Sequence, residues 1–111
     1  ETTMELVKLS SVSEFHQLPV NKWGIRESPL DWEWENIFEG GKCDLLIVPG
    51  RAFTLDGHRL GRGKGYYDRY IKRLRKVTDP KLVGLAFREQ IVDDVPTDEY
   101  DVPLDEILLP D

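Results

Sequence analysis

Apolar positions recur along this chain in segments with different periods, and each period predicts an element. "MELVKL", Met4 to Leu9, alternates closely enough to predict a strand, and "SVSEFHQL" after it predicts a short helix with Ser11 or Ser13 as N-cap. From Pro19 to Gly41 the pattern dissolves among two prolines and three tryptophans, which predicts a long loop with at most a turn of helix. A loop of that length in a compact domain is functional or disordered, and Trp23, Trp32 and Trp34 argue against disorder.

The strongest strand pattern is the unbroken run Leu45 to Val48, ended by Pro49 and Gly50. Such a run predicts a central strand buried on both faces, as in a parallel sheet. "RAFTLDGHRLGRGKG", Arg51 to Gly65, then carries four glycines with neither helical nor strand period and reads as a loop. Helical period returns at Tyr67, Tyr70, Ile71 and Leu74, with Arg69, Lys72, Arg73 and Lys76 largely off that stripe. "KLVGLAF" (Lys81 to Phe87) and "DEILLP" (Asp105 to Pro110) predict two further strands, with Asp79 and Pro80 closing the helix region. Strand, loop, helix, strand is a βαβ crossover, so the expected class is α/β with a mostly parallel sheet flanked by helices.

Length and composition narrow the setting. A chain of 111 residues makes one domain at most, with a modest core. Its apolar runs are too short to span a bilayer and no signal segment opens it, so the expected home is the cytoplasm or an organelle matrix, with no membrane partner. The first residue is not methionine, yet the strand pattern starts almost at once, as expected of a fragment. Cys43 is the only cysteine, which excludes an intrachain disulfide. With two histidines it is a poor basis for a zinc site, and it reads as a small, partly buried side chain ahead of a strand.

Charge is distributed unevenly. The net charge is −6, yet eight of the fifteen Lys and Arg residues lie between Arg59 and Lys76, beside the single acid Asp68. A chain so acidic elsewhere is a poor general binder of nucleic acid, and the stripe suits a small anion instead. In a parallel sheet, ligands bind at the loop leaving a strand's carboxyl end and entering a helix. Here that loop holds glycines that admit close backbone approach, a helix N-terminus, and Arg59, Arg62 and Lys64, the elements of a phosphate cradle. It is not a Walker A loop, because Gly65 follows Lys64 where Ser or Thr is required. Nor is it a dinucleotide fingerprint, since Gly61, Gly63 and Gly65 lie well beyond the strand and Tyr66 takes the last glycine's place.

"LLIVPGRAF", "DGHRLGRGKGYYDRYIKRL", "GLAFREQIVDDVP" and "DVPLDEILLP" together resemble the C-terminal half of the 5-formyltetrahydrofolate cyclo-ligase family, over nearly the whole chain from Met4. The resemblance implies a three-layer α/β/α domain of which residues 1–111 are the C-terminal part, lacking the N-terminal half. It also implies ATP- and Mg2+-dependent conversion of 5-formyltetrahydrofolate to 5,10-methenyltetrahydrofolate. Carried onto this sequence, the ATP loop comprises Arg59, Leu60, Gly61, Arg62, Gly63, Lys64, Gly65, Tyr66 and Tyr67, with Arg62 and Lys64 neutralising the phosphates as catalytic groups. Arg62 to Tyr66 would also face the folate, together with Trp23 and Phe53, and Asp68 and Asp101 would hold the magnesium. Thr54 departs from the family, many members having aspartate there. The family's N-terminal Lys and Arg at the ATP phosphates, and its folate-contacting Glu, fall in the missing half, which must come in cis or from another chain. The 111-residue chain alone is therefore expected to be inactive.

Plainer roles compete at several positions. Asp68 also suits a helix N-terminus and an i+4 pair with Lys72, Trp23 also suits core packing, and Asp101 sits among many acids. Tyr67, Tyr70 and Leu74 read chiefly as core, Tyr66 as the ring free to meet ligand, and His16 and His58 as surface residues. At the level of function, the alternatives are a non-catalytic folate- or nucleotide-binding relative and, less in keeping with the charge, a nucleic-acid module.

Overall fold

A computed structural model describes residues 4–29, 35–38, 41–61, 63 and 65–111. The chain forms two compact units, one built on Lys42–Asp111 and the other on Glu5–Gly41. Among the described residues no helix is long and apolar enough to cross a membrane.

The Lys42–Asp111 unit holds a parallel sheet of β1 (Leu45–Ile47), β4 (Lys81–Leu85) and β5 (Glu106–Leu108), in the order β1-β4-β5. Between β1 and β4 run a two-stranded antiparallel hairpin, β2 (Ala52–Phe53) with β3 (Arg59–Leu60), and helix α2 (Tyr66–Leu74). The α/β class with a parallel sheet expected from the sequence is therefore the class observed. Two details differ. First, the central strand is β4, whereas β1 lies at one side of the sheet: the crossover returns beside β1, and β5 then adds to the far side of β4. Leu82, Val83 and Gly84 are all buried on β4, whereas Leu45 and Ile47 on β1 are exposed and only Leu46 between them is buried. Second, the segment expected to be plain loop contains the β2–β3 hairpin, whose two-residue ladder is too short to leave a period in the sequence.

Register sorts the sheet's side chains onto two faces. Leu45, Ile47, Leu85 and Leu108 share one face and are all exposed. Gly84, on the opposite face, lies where any side chain would collide: a Cβ there would approach the Phe53 ring to 2.8 Å and Leu104 and Ile107 to 3.0 Å. Phe53, Leu82, Val48, Ile71 and Leu74 are the large residues with almost no exposure and form the core. Each such side chain contributes on the order of 1.5–3 kcal/mol of burial. On α2 the expected stripe is realised as buried Tyr70, Ile71 and Leu74, with Tyr67 half-buried, and the helix ends at Leu74, ahead of Asp79 and Pro80.

In the Glu5–Gly41 unit, α1 (Val12–His16) starts where Ser11 accepts the Glu14 N–H through its hydroxyl, so Ser11 is the N-cap. The strand expected over Met4 to Leu9 is reduced to one antiparallel bridge, Val7 with Asn36. Leu6 and Val7 are both half-buried, which breaks the two-face alternation that a strand requires, and among the described residues the pairing covers 6–8 and 35–37. Trp32 and Trp34, expected to pack, lie outside the described residues.

Candidate functional site

The carboxyl end of β1 opens into a cavity of about 510 Å³. Its walls come from four places: Pro49–Arg51 just after β1, β3 with the following glycines, the first turn of α2, and Pro96–Asp101. Each wall has a local cause. Pro49 and Gly50 stop the strand. Glycine is needed at Gly50, where a Cβ would meet the Phe53 ring at 2.8 Å, and at Gly65, which enters the helix with φ +69°. Because the N-cap is a glycine, no side chain caps α2, and its first-turn N–H groups stand where the cavity begins.

Arg59 dominates one wall. Its guanidinium donates through Nη1 to the Pro49 carbonyl (3.0 Å), lies 5.5 Å from the Tyr67 ring, and faces Asp68 with Nη2 to Oδ2 at 3.7 Å. The side chain is only 8% exposed, and among the described residues Nε meets no acceptor. A buried N–H without a partner is costly unless a ligand or water completes it. Asp68, 17% exposed, accepts the Val102 N–H at 3.2 Å through Oδ1. That bond reaches the residue after Asp101, whose Oδ2 in turn accepts the Asp98 N–H at 2.9 Å. Asp68 and Asp101 thus line one cavity, tied through a single stretch of backbone, each with acceptor capacity left over. Two carboxylates with spare oxygens suit a hard cation that keeps water and phosphate ligands, and among the described residues no group of three acidic, His or Cys side chains forms a fuller cage. The i+4 partner considered for Asp68 is engaged elsewhere: the Lys72 ammonium lies 5.1 Å from the Tyr100 ring.

Of the residues expected from the sequence, Arg59, Leu60, Gly61, Gly63, Gly65, Tyr66, Tyr67, Asp68 and Asp101 all line the cavity. Arg62 and Lys64 lie outside the described residues. Phe53 is not among the residues that line the cavity. Its ring has no exposure and packs beneath Gly50 and Gly84, because the pleat of β2 turns it inward. It supports the wall from below and does not face the cavity. Trp23 belongs to the other unit and is not core: it is 72% exposed in a turn in which the Asn21 side chain accepts the N–H groups of Trp23 and Ile25. The Lys22 ammonium lies 4.6 Å from its ring.

The sequence reading missed Arg51, Thr97 and Asp98 on the cavity wall. Arg51 was signalled by its place directly after the strand-ending Pro-Gly, and Asp98 by its spacing to Asp101, which closes a turn. Thr54 is held by local bonding in the hairpin turn. It is buried, its hydroxyl donates to Asp56 and accepts the His58 N–H (3.0 Å), and its backbone N–H donates to the His58 carbonyl (2.9 Å). The Thr54 hydroxyl holds the Asp56 carboxyl below its ordinary range, with nearby His58 adding to the effect. Burial pushes the Cys43 thiol up, which matches its expected role as an inert packed side chain.

The family model described as the 5-formyltetrahydrofolate cyclo-ligase family matches residues 1–110. A probable 5-formyltetrahydrofolate cyclo-ligase of Caenorhabditis elegans is 43% identical over 110 residues, which cover 96% of this chain and 53% of the relative. The 5-formyltetrahydrofolate cyclo-ligase of Mus musculus is 42% identical, over 97% of this chain and 54% of its own length. Among solved structures, the 5,10-methenyltetrahydrofolate synthetase of Aquifex aeolicus superposes with a TM-score of 0.64 at 36% identity, covering 96% of this chain and 50% of that one. The chain thus spans about half the length of the curated relatives it matches.

Proposed function

The chain belongs to the 5-formyltetrahydrofolate cyclo-ligase family, and on that premise we propose that the whole protein carrying it converts 5-formyltetrahydrofolate to 5,10-methenyltetrahydrofolate, consuming ATP with Mg2+ and releasing ADP and phosphate. The observation that carries the reading is one cavity in which a buried arginine, a glycine-framed loop and an uncapped helix N-terminus face two linked carboxylates. That arrangement provides for a polyphosphate and its cation together.

The reaction needs such a site for a simple reason. A formyl oxygen leaves poorly, so it first takes the terminal phosphoryl group of ATP. N10 of the same folate then attacks the formyl carbon, the carbon–oxygen bond breaks, and the oxygen departs in hydrogen phosphate, which also accounts for the proton lost from N10. Phosphoryl transfer asks the protein chiefly for positioning and for fixed positive charge. Arg59, Arg62 and Lys64 supply the charge, and Gly61, Gly63 and Gly65 admit the phosphates to the backbone. Asp68 and Asp101 would hold the magnesium, which when bound neutralises phosphate charge. Tyr66, on the cavity wall, is an apolar surface for the folate. Both compact units are read as parts of one catalytic domain acting in the cytoplasm or an organelle matrix. The remaining half supplies further phosphate and folate contacts, in cis or from another chain.

The test is the appearance of methenyltetrahydrofolate absorbance when the full-length protein is given 5-formyltetrahydrofolate and Mg-ATP, alongside an Arg62→Ala variant. Product from the parent, with loss of about 10²- to 10³-fold in the variant, is expected, the range typical of removing one group that stabilises developing charge. A folded parent that binds these ligands and yields no product would support the non-catalytic alternative. Turnover by the pure 111-residue chain would contradict the role given to the other half.

A further inference from the structure

Gln90 does not line the cavity, yet it is bonded to the backbone of the wall that does. It ends a 3-10 turn, Arg88–Gln90, just beyond β4. Its Oε1 accepts the Phe87 N–H at 2.8 Å, while its Nε2 donates to the Gly50 carbonyl at 3.2 Å and lies 3.5 Å from the Arg51 carbonyl. The next two residues continue along the same stretch: Ile91 makes a parallel bridge to Phe53, and the Val92 N–H donates to the Phe53 carbonyl at 2.9 Å. The Pro49–Arg51 wall is held by other bonds too, since the Pro49 carbonyl accepts Nη1 of Arg59 at 3.0 Å and the Arg51 N–H donates to the Leu60 carbonyl at 2.7 Å.

We propose that Gln90 is a positioning residue for the cationic wall: it fixes the Pro49–Arg51 backbone, through which the Arg59 guanidinium is seated, and so sets the affinity for the phosphate-bearing co-substrate. The proposal rests on the ATP reading given above. The chemistry of the side chain is specific to the task. One end must accept from an N–H and the other must donate to carbonyls, and a neutral carboxamide does both at once. Glutamate would keep the bond to Phe87 but set a second acceptor against the carbonyls of Gly50 and Arg51.

The experiment uses the full-length protein with Gln90→Ala and Gln90→Glu, measuring KM for Mg-ATP and for 5-formyltetrahydrofolate, kcat, and direct Mg-ATP binding by calorimetry. Gln90→Ala is expected to raise the KM for Mg-ATP by about 5- to 20-fold, the scale of one or two hydrogen bonds, with kcat reduced by less and the folate KM within about 2-fold. Gln90→Glu should be at least as damaging, and in an Arg59→Ala background Gln90→Ala should add little, because the group it seats is gone. Restoration by glutamate would assign Gln90 to the turn alone. That result, a shift confined to the folate KM, or full additivity with Arg59→Ala would each overturn the proposal. If Gln90→Ala does not fold, the near-isosteric glutamate variant decides by the same criterion. A parent that binds no Mg-ATP would refute the ATP reading itself, whereas a binding parent with unaffected Gln90 variants would refute only the positioning role.

Discussion

Leu104 donates its backbone N–H to the Gly57 carbonyl at 2.8 Å, and its own carbonyl oxygen occupies the space in which a side chain on Gly57 would begin. Gly57 also has φ +101°. The β2–β3 hairpin that carries Arg59 and the loop that carries Asp101 are therefore pressed backbone to backbone, and two of the cavity's walls depend on a missing Cβ. Gly57→Ala combines left-handed strain with a backbone collision and should cost more than about 2 kcal/mol of stability, read from the midpoint of chemical denaturation. An unchanged midpoint would mean that these segments are not so closely joined.

Asp68 carries two loads, the Val102 N–H and the charge of Arg59. Asp68→Asn can keep the first and loses the second, leaving a guanidinium that is only 8% exposed without its counter-charge. Breaking a fully buried pair costs about 3–5 kcal/mol, and because Asp68 keeps some contact with water the expected loss is lower, about 1–3 kcal/mol. The Mg2+ concentration required for half-maximal activity should rise in the same variant. Parental stability together with parental Mg2+ dependence would show that neither load is carried by the charge.

The hairpin turn should respond to acid. The Asp56 carboxyl is held below its ordinary value of 3.8, first by the Thr54 hydroxyl and further by His58. Its contribution to folding is therefore fully present above that value and is lost as pH falls through the lowered one. Asp56→Asn should flatten that acid-side decline in stability, followed by denaturant midpoints across the acidic range. A parallel decline in both proteins would assign it to other carboxylates.

One face of the sheet exposes several large apolar side chains beside the Lys81–Glu106 ion pair. Leu45, Ile47, Leu85 and Leu108 share it by register, and Phe87 continues it beyond β4. Exposed contiguous apolar surface promotes association. The 111-residue chain should accordingly self-associate and bind a hydrophobic dye, and Leu85→Lys should lower both its scattering mass and its dye binding. A monomeric, dye-silent parent chain would count against this.

What could be read from the residues was whatever depends on neighbours within a few positions. The 3.6-residue stripe placed α2, the apolar run placed β1, the Ser11 cap started α1, and the glycine-spaced loop ahead of a helix marked a segment whose glycines line the cavity. Contacts bridging tens of residues leave no such periodic trace. That β4 rather than β1 is central follows from where the crossover returns and where β5 adds. That Phe53 supports the wall from beneath follows from the pleat of a two-residue strand against Gly84. The Asp68 bond to Val102 and the Gln90 bond to Gly50 join residues 34 and 40 positions apart. Local periodicity therefore announced β1, α2 and β4. Long-range packing chose which side chains meet around the cavity and which hold its walls in place, because only folding brings those distant backbones within hydrogen-bond reach.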